Sequence, residues 1–224
     1  MATLAIIGGT GLGQLAALNI THRETVNTPY GNPSADFLIG DINYRANLWA
    51  LKELGIQDII AVAAVGGITT NMQPAHIAIP DQIIDYTYGR EHTFFDGNDG
   101  NVTHIDFSHP YSQKLRAALI HCAATINLKV SPIGTYGSTQ GPRLESAAEI
   151  TRMERDGCDL VGMTGMPEAV LAKEIGINYA SIAVVANWGA GKTAGEITMA
   201  EIEENLHHGM INAGALLQAF IATY

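Results

Sequence analysis

The sequence predicts an α/β fold: one domain, with a largely parallel mixed sheet flanked by helices. Two observations carry that prediction. Short apolar runs of strand character alternate with segments of helical apolar spacing along the whole chain. No linker or low-complexity stretch interrupts the alternation, so residues 1–224 read as a single domain. A chain of 224 residues is long enough to bury a full core.

Leu4 to Ile7 is a first buried strand that enters the turn Gly8-Gly9-Thr10-Gly11. Phe37 to Ile39 is a second strand candidate. Asn43 to Leu54 places Ala46, Leu48, Trp49 and Leu51 at helical spacing and stops at Gly55. Asp58 to Val65 is a continuous β-branched run ending in Gly66-Gly67, as a central strand does. Ile77 to Tyr86 reads as one further strand, and the polar residues 89–110 as a long loop of functional or interfacial type. Helix Tyr111–Ile126, strand Val130–Thr135, helix Glu145–Arg155, strand Leu160–Met163, helix Pro167–Glu174 and strand Tyr179–Ala186 follow. The last helix opens on the capping box formed by Thr198 and Glu201 and runs to about Ala222.

Hydrophobic residues make up 47% of the chain and charged residues only 15%, with a formal net charge of -10. The acidic balance argues against nucleic-acid binding, which needs a basic footprint. It also means that an anionic ligand must be held by local donors against the global field. Cys122 and Cys158 have no CxxC partner and no zinc spacing, so they read as reduced thiols and no metal is expected. No apolar run is long enough for a bilayer span, and the expected location is cytoplasmic.

Several constellations bear on chemistry. Thr10 among its glycines offers a hydroxyl and free backbone N–H groups to an anion, although a tight turn explains the same residues. The small residues around Ala64 let a ligand lie on the backbone or let a helix pack closely. Glu145 either complements a helix dipole or binds a ligand. Asn187 ends an apolar strand, where a buried amide needs partners for both its ends, and this favours a ligand. Met163 offers a soft apolar face and Thr164 a hydroxyl beside glycine. A dehydrogenase reading of the first turn lacks a ribose reader in a second strand and a Tyr-x-x-x-Lys pair.

Taken together, Gly8-Gly9-Thr10-Gly11, Asn43-Tyr44-Arg45-Ala46-Asn47-Leu48-Trp49-Ala50, Gly141-Pro142-Arg143-Leu144-Glu145 and Gly162-Met163-Thr164-Gly165-Met166-Pro167-Glu168 resemble the trimeric purine nucleoside phosphorylases, in particular the branch acting on 5′-methylthio nucleosides. The resemblance implies a homotrimeric pentosyltransferase that needs phosphate as co-substrate and no cofactor. It implies that Thr10, the backbone at Ala64, and Thr164 hold phosphate, that Met163 lies under the ribose, and that Leu144 packs on the base. It further implies that Glu145 and Asn187 read the base edge, that Met199 and Ile202 line the 5′ pocket, and that His104 reaches a neighbouring subunit's site. His207 and His208, further along the last helix, are expected to face solvent. One departure stands out. The family carries a strand and an Arg-His-Gly loop before the Asn-Tyr-Arg-Ala-Asn helix, whereas here Phe37 to Ile42 runs almost directly into it. Either the loop is truly absent or a segment is missing from the sequence. The second is favoured, because phosphate without a positive clamp is electrostatically costly in an acidic protein.

An ionised Glu145 accepts from N1–H, and an amide at 187 can both accept from N7–H and donate to O6. That pattern predicts a 6-oxopurine nucleoside, and the apolar Met199 and Ile202 favour methylthioinosine over inosine. Methylthioadenosine phosphorylase, general purine nucleoside phosphorylase and a non-catalytic nucleoside-binding module remain as alternatives.

Overall fold

The computed structural model describes residues 3–8, 26–33, 42–97 and 102–224. Thr10, its glycine turn and the strand expected at Phe37–Ile39 lie outside the described residues. Eight strands and five helices are described: β1 Leu4–Gly8, α1 Tyr44–Glu53, β2 Asp58–Gly67, β3 Ile77–Ala78, β4 Gln82–Asp85, α2 Gln113–Thr125, β5 Val130–Ser131, β6 Thr135–Ser138, α3 Ala147–Arg155, β7 Leu160–Gly162, α4 Gly165–Glu174, β8 Asn178–Trp188 and α5 Met199–Thr223.

The helix boundaries follow from side-chain caps. Asn43 precedes α1 and accepts from the Ala46 amide at 3.0 Å, and Ser112 does the same for Leu115 ahead of α2. The expected capping box of α5 is present, with Thr198 and Glu201 each bonded to the other's backbone. An equivalent box of Ser146 and Glu149 opens α3. The helix therefore starts at Ala147, and Glu145 stands just before its cap.

The strands form one sheet in the order β4-β6-β7-β2-β8-β3-β5, with β1 beside β2. Pairings are parallel except β2–β7 and β3–β8. The runs 77–86 and 130–135 are not single strands. Each is broken next to a proline, Pro80 or Pro132, and its two halves sit on opposite flanks of the sheet, where β3 pairs with β5 and β4 with β6. Proline cannot donate to a ladder, so the break falls where the ribbon leaves one flank for the other. The two ribbons thereby join the flanks, and the sheet curls on itself.

Arg116 holds this crossing. Its Nε donates to the Pro80 carbonyl at 2.9 Å, and its Nη2 to those of Pro132 at 2.5 Å and Ile79 at 3.5 Å. The side chain is buried, so a methionine in its place leaves those carbonyls without a partner. Arg116→Met is expected to destabilise the protein by about 3 kcal/mol, the scale of charge-assisted bonds lost in a buried setting. Denaturant unfolding checks this; a change within 0.5 kcal/mol, roughly the spread of neutral surface substitutions, would show that the crossing stands without the guanidinium.

Alternation along β2 sorts the core. Ile60 and Val62 join Ile182 and Val184 of β8 under Leu115 and Leu119 of α2 and Leu216, Leu217 and Phe220 of α5. Ile59 and Ala61 face the other way, onto Leu48 of α1 and Ala169 and Leu171 of α4. Further along, Ala63 and Val65 pack with Tyr136 and Leu160 inside the curl. Helix α5 approaches β8 closely: a Cβ at Gly209 would stand 2.3 Å from Val184 Cγ1. Cys122 and Cys158 are both buried and unbridged. Residues 89–97 and 102–110 contain no helix or strand, as expected of the long loop.

Candidate functional site

The central strands deliver the site. β2 is buried along its length except at Ala64, which is exposed. Strand β7 is short. It pairs antiparallel with β2 at Gly67 and Gly66 and ends at Gly162. Continuing that register past Gly162 sets Met163 opposite Ala64 on this edge, while Ala64 pairs with Val184 of β8 on the other. Strands β6 and β7, which lead to Glu145 and Thr164, run against β2 and β8, which carry Ala64 and Asn187.

Thr164 is the N-cap residue of α4 and makes no side-chain cap bond. The start of a helix favours negative charge, so Thr164 stands where an anion is stabilised. Met166 interrupts the helical backbone, with φ -121° and ψ 140°, and its amide is bonded by the buried Ser138 Oγ at 3.1 Å. Below the turn, Glu168 is buried and accepts from the Tyr179 hydroxyl at 2.6 Å. Burial pushes its carboxyl up to about 7.

Glu145 does not serve the helix dipole. Glu149 fills that role at the third position of α3 and is gripped by both Nη atoms of Arg143 at 2.8 Å, which with the Ser146 amide pulls its carboxyl down to about 2. Glu145 is instead held by Thr139, whose hydroxyl donates to Oε1 at 2.7 Å and also lies 3.3 Å from the Gly162 carbonyl. The second carboxylate oxygen has no partner among the described residues. Gly141 has φ +64°, and a Cβ there would stand 2.4 Å from Met163 Sδ. Only glycine lets the Met163 thioether lie against this turn.

Asn187 lies within β8, not beyond its end, because the strand continues to Trp188. The β2–β8 register slips between Val65 and Gly66, leaving Ala186 as an extra residue and setting Asn187 opposite Gly66. Its Nδ2 donates to the Trp188 carbonyl at 2.7 Å, while Oδ1 has no described partner. Gly66 pairs on its other side with Val161, and Thr139 is bonded through its amide to the Gly162 carbonyl at 2.8 Å. Glu145 and Asn187 are therefore joined through one short stretch of neighbouring strands.

The remaining predicted residues are less concentrated. Leu144 is exposed beside Glu145. Met199 is the exposed first residue of α5, whereas Ile202 packs partly against the cluster that contains Val62 and Ala186. His104 is exposed in the long loop and His207 and His208 are exposed on α5. A cavity of about 340 Å³ is lined by Glu145 together with Tyr86, Tyr88, Gln140 and Arg143. Asn187, Met163 and Thr164 are not in its lining, so the cavity does not coincide with the strand-end constellation. Among the described residues no group of three His, Cys, Asp or Glu is placed to hold a metal ion. No described helix is long and apolar enough to cross a membrane.

Residues 3–222 match the phosphorylase superfamily model. The chain belongs to the phosphorylase superfamily. This phosphorylase superfamily member is 50% identical over 239 aligned positions to a probable S-methyl-5′-thioinosine phosphorylase of Pseudomonas syringae pv. tomato, with 97% of each chain covered. It is 42% identical to a 6-oxopurine nucleoside phosphorylase of Pyrococcus furiosus, covering 91% of this chain and 86% of the relative. A solved methylthioadenosine phosphorylase of Schistosoma mansoni, in complex with adenine, superposes with a TM-score of 0.91 at 27% identity, covering 100% of this chain and 92% of the other. The Pseudomonas alignment is longer than the 224 residues of this chain. That relative therefore carries residues with no counterpart here.

Sequence reasoning passed over four residues around this site. Ser146 with Glu149 was a legible Ser-x-x-Glu signal. Thr139 and Arg90 carried none, since a lone hydroxyl and a lone loop arginine look like surface.

Proposed function

We propose that the chain catalyses phosphorolysis of a 6-oxopurine nucleoside, with S-methyl-5′-thioinosine as preferred substrate and hypoxanthine and 5-methylthioribose 1-phosphate as products. The observation that carries this reading is the position of Glu145. Its helix-capping role is taken by Glu149, and its carboxylate is held by Thr139 with one oxygen unengaged. A carboxylate so held accepts from N1–H of a 6-oxopurine and meets the N1 lone pair of adenine with repulsion. The names of the Pseudomonas and Pyrococcus relatives support the same substrate class.

In the reaction a phosphate oxygen bonds to C1′ as the C1′–N9 bond breaks, and the electron pair passes to the purine. N7 takes up a proton from solvent as this charge develops, Asn187 Oδ1 accepts from the N7–H so formed, and the second hydrogen on Nδ2 is available to O6. Thr164, the backbone at Ala64, and Thr10 hold phosphate. Met163 lies under the ribose, Leu144 packs on the base, and Met199 and Ile202 shape an apolar 5′ pocket. His104 completes the site of a neighbouring subunit in a cytoplasmic homotrimer, and the whole chain acts as one domain.

The deciding experiment measures phosphate-dependent release of free base from methylthioinosine, inosine and methylthioadenosine. Hypoxanthine release from methylthioinosine is expected to be fastest; faster turnover of methylthioadenosine would favour the adenine-specific alternative suggested by the Schistosoma neighbour. A second prediction concerns phosphate. Thr164→Val is expected to raise KM for phosphate roughly tenfold, the worth of one hydrogen bond to an anion, with KM for the nucleoside within twofold of wild type. Equal effects on both constants would remove Thr164 from the phosphate site.

A further inference from the structure

Arg90 lies in the long loop, far in sequence from Glu145, Met163, Thr164 and Asn187, yet its guanidinium joins the two segments that carry Glu145 and Thr164. Nη2 donates to the carbonyls of Gln140 at 2.9 Å and Thr139 at 3.3 Å. Nη1 donates to the carbonyls of Met163 at 2.7 Å and Met166 at 2.5 Å, and lies 3.5 Å from the Tyr44 hydroxyl. The guanidinium also sits over the Tyr44 ring, 5.5 Å from its centroid. Among the described residues it has no carboxylate partner. A cation spent on backbone carbonyls of two separate turns is not a surface ion pair. Its planar fork suits bridging, because two nitrogens at fixed separation set the distance between the groups they bind.

What the fork holds gives the bridge its consequence. Thr139 and Gln140 form the segment between β6 and the Gly141 turn, and the Thr139 hydroxyl in turn holds Glu145. Met163 and Met166 bracket Thr164. We infer that Arg90 and Thr139 form a positioning relay for the phosphorolysis reaction: Arg90 sets the base-reading segment relative to the ribose and phosphate turn, and Thr139 passes that placement on to the Glu145 carboxylate, so that both residues determine purine specificity without touching substrate. The inference rests on the reading of Glu145 as the N1–H acceptor.

Arg90→Lys and Thr139→Val test the relay. A lysine keeps the charge but offers one nitrogen, which cannot span both turns. Valine keeps the shape of threonine and removes only the hydroxyl. The readout is the ratio of kcat/KM for methylthioinosine to that for methylthioadenosine. A merely structural defect lowers the active fraction and scales both numerators alike, leaving the ratio unchanged. The relay predicts a fall in the ratio of about tenfold in each variant, since displacing a positioned group by a fraction of an ångström to an ångström costs ten- to a hundredfold. A folded Arg90→Lys enzyme that loses rate but keeps the wild-type ratio overturns the role of Arg90. If that variant does not fold, Thr139→Val decides, and an unchanged ratio there overturns the relay. Failure of the wild-type enzyme itself to prefer the 6-oxopurine would instead sink the reading of Glu145, so the two failures are separable.

Discussion

Glu145→Ala lowers kcat/KM for methylthioinosine by roughly a hundredfold while leaving the melting temperature nearly unchanged. The energetic side comes from the transition state, in which the departing purine gains negative charge and its N1–H needs a fixed acceptor. Loss of one such preorganised partner costs on the order of 3 kcal/mol in the barrier. The structural side comes from the surroundings of the residue. Glu145 precedes the cap of α3, so the helix keeps its Ser146–Glu149 box. Thr139, deprived of its carboxylate, still has the Gly162 carbonyl 3.3 Å away to receive its proton. No buried donor is stranded, and folding is spared. Steady-state kinetics beside thermal unfolding check the prediction; a loss below threefold would place Glu145 outside the chemistry.

Asn187→Asp reverses the preference between purines. An amide presents one acceptor and one donor, matched to N7–H and O6. An aspartate in its protonated form donates to N7 and turns its other oxygen to a 6-amino group. The ratio of kcat/KM for methylthioinosine over methylthioadenosine is expected to fall on the order of a hundredfold, the discrimination associated with a mispaired polar group in a closed site. Absolute rates on methylthioadenosine stay low, because Glu145 still opposes an unprotonated N1. Adding Glu145→Ser to remove that opposition is expected to raise them. A ratio that does not move in Asn187→Asp would mean that the amide oxygen left free beside Trp188 does not meet the base.

Local and distant information are separable in this chain. The start of α5 was legible because its cap is local: Thr198 and Glu201 act within one turn of chain. The buried strands β2 and β8 were legible because a strand covered on both faces reads as an apolar run. The breaks at Pro80 and Pro132 were visible as prolines, but their consequence was not. That each half-strand would join an opposite flank depends on partners tens of residues away. The direction of β7 and the exposure of Ala64 were equally out of reach.

By itself the sequence determined the alternation of strands and helices, the residue types suited to a 6-oxopurine and phosphate, and the family these motifs resemble, because each of these is written in short-range pattern. The tertiary structure alone decided that Glu145 is released from its helix, that Asn187 sits in a strand opposite Gly66, and that Arg90 and Arg116 spend their charge on carbonyls of distant turns. The physical reason is that a hydrogen bond depends on where two groups end up in space, and for groups far apart in the chain only the folded sheet sets that distance.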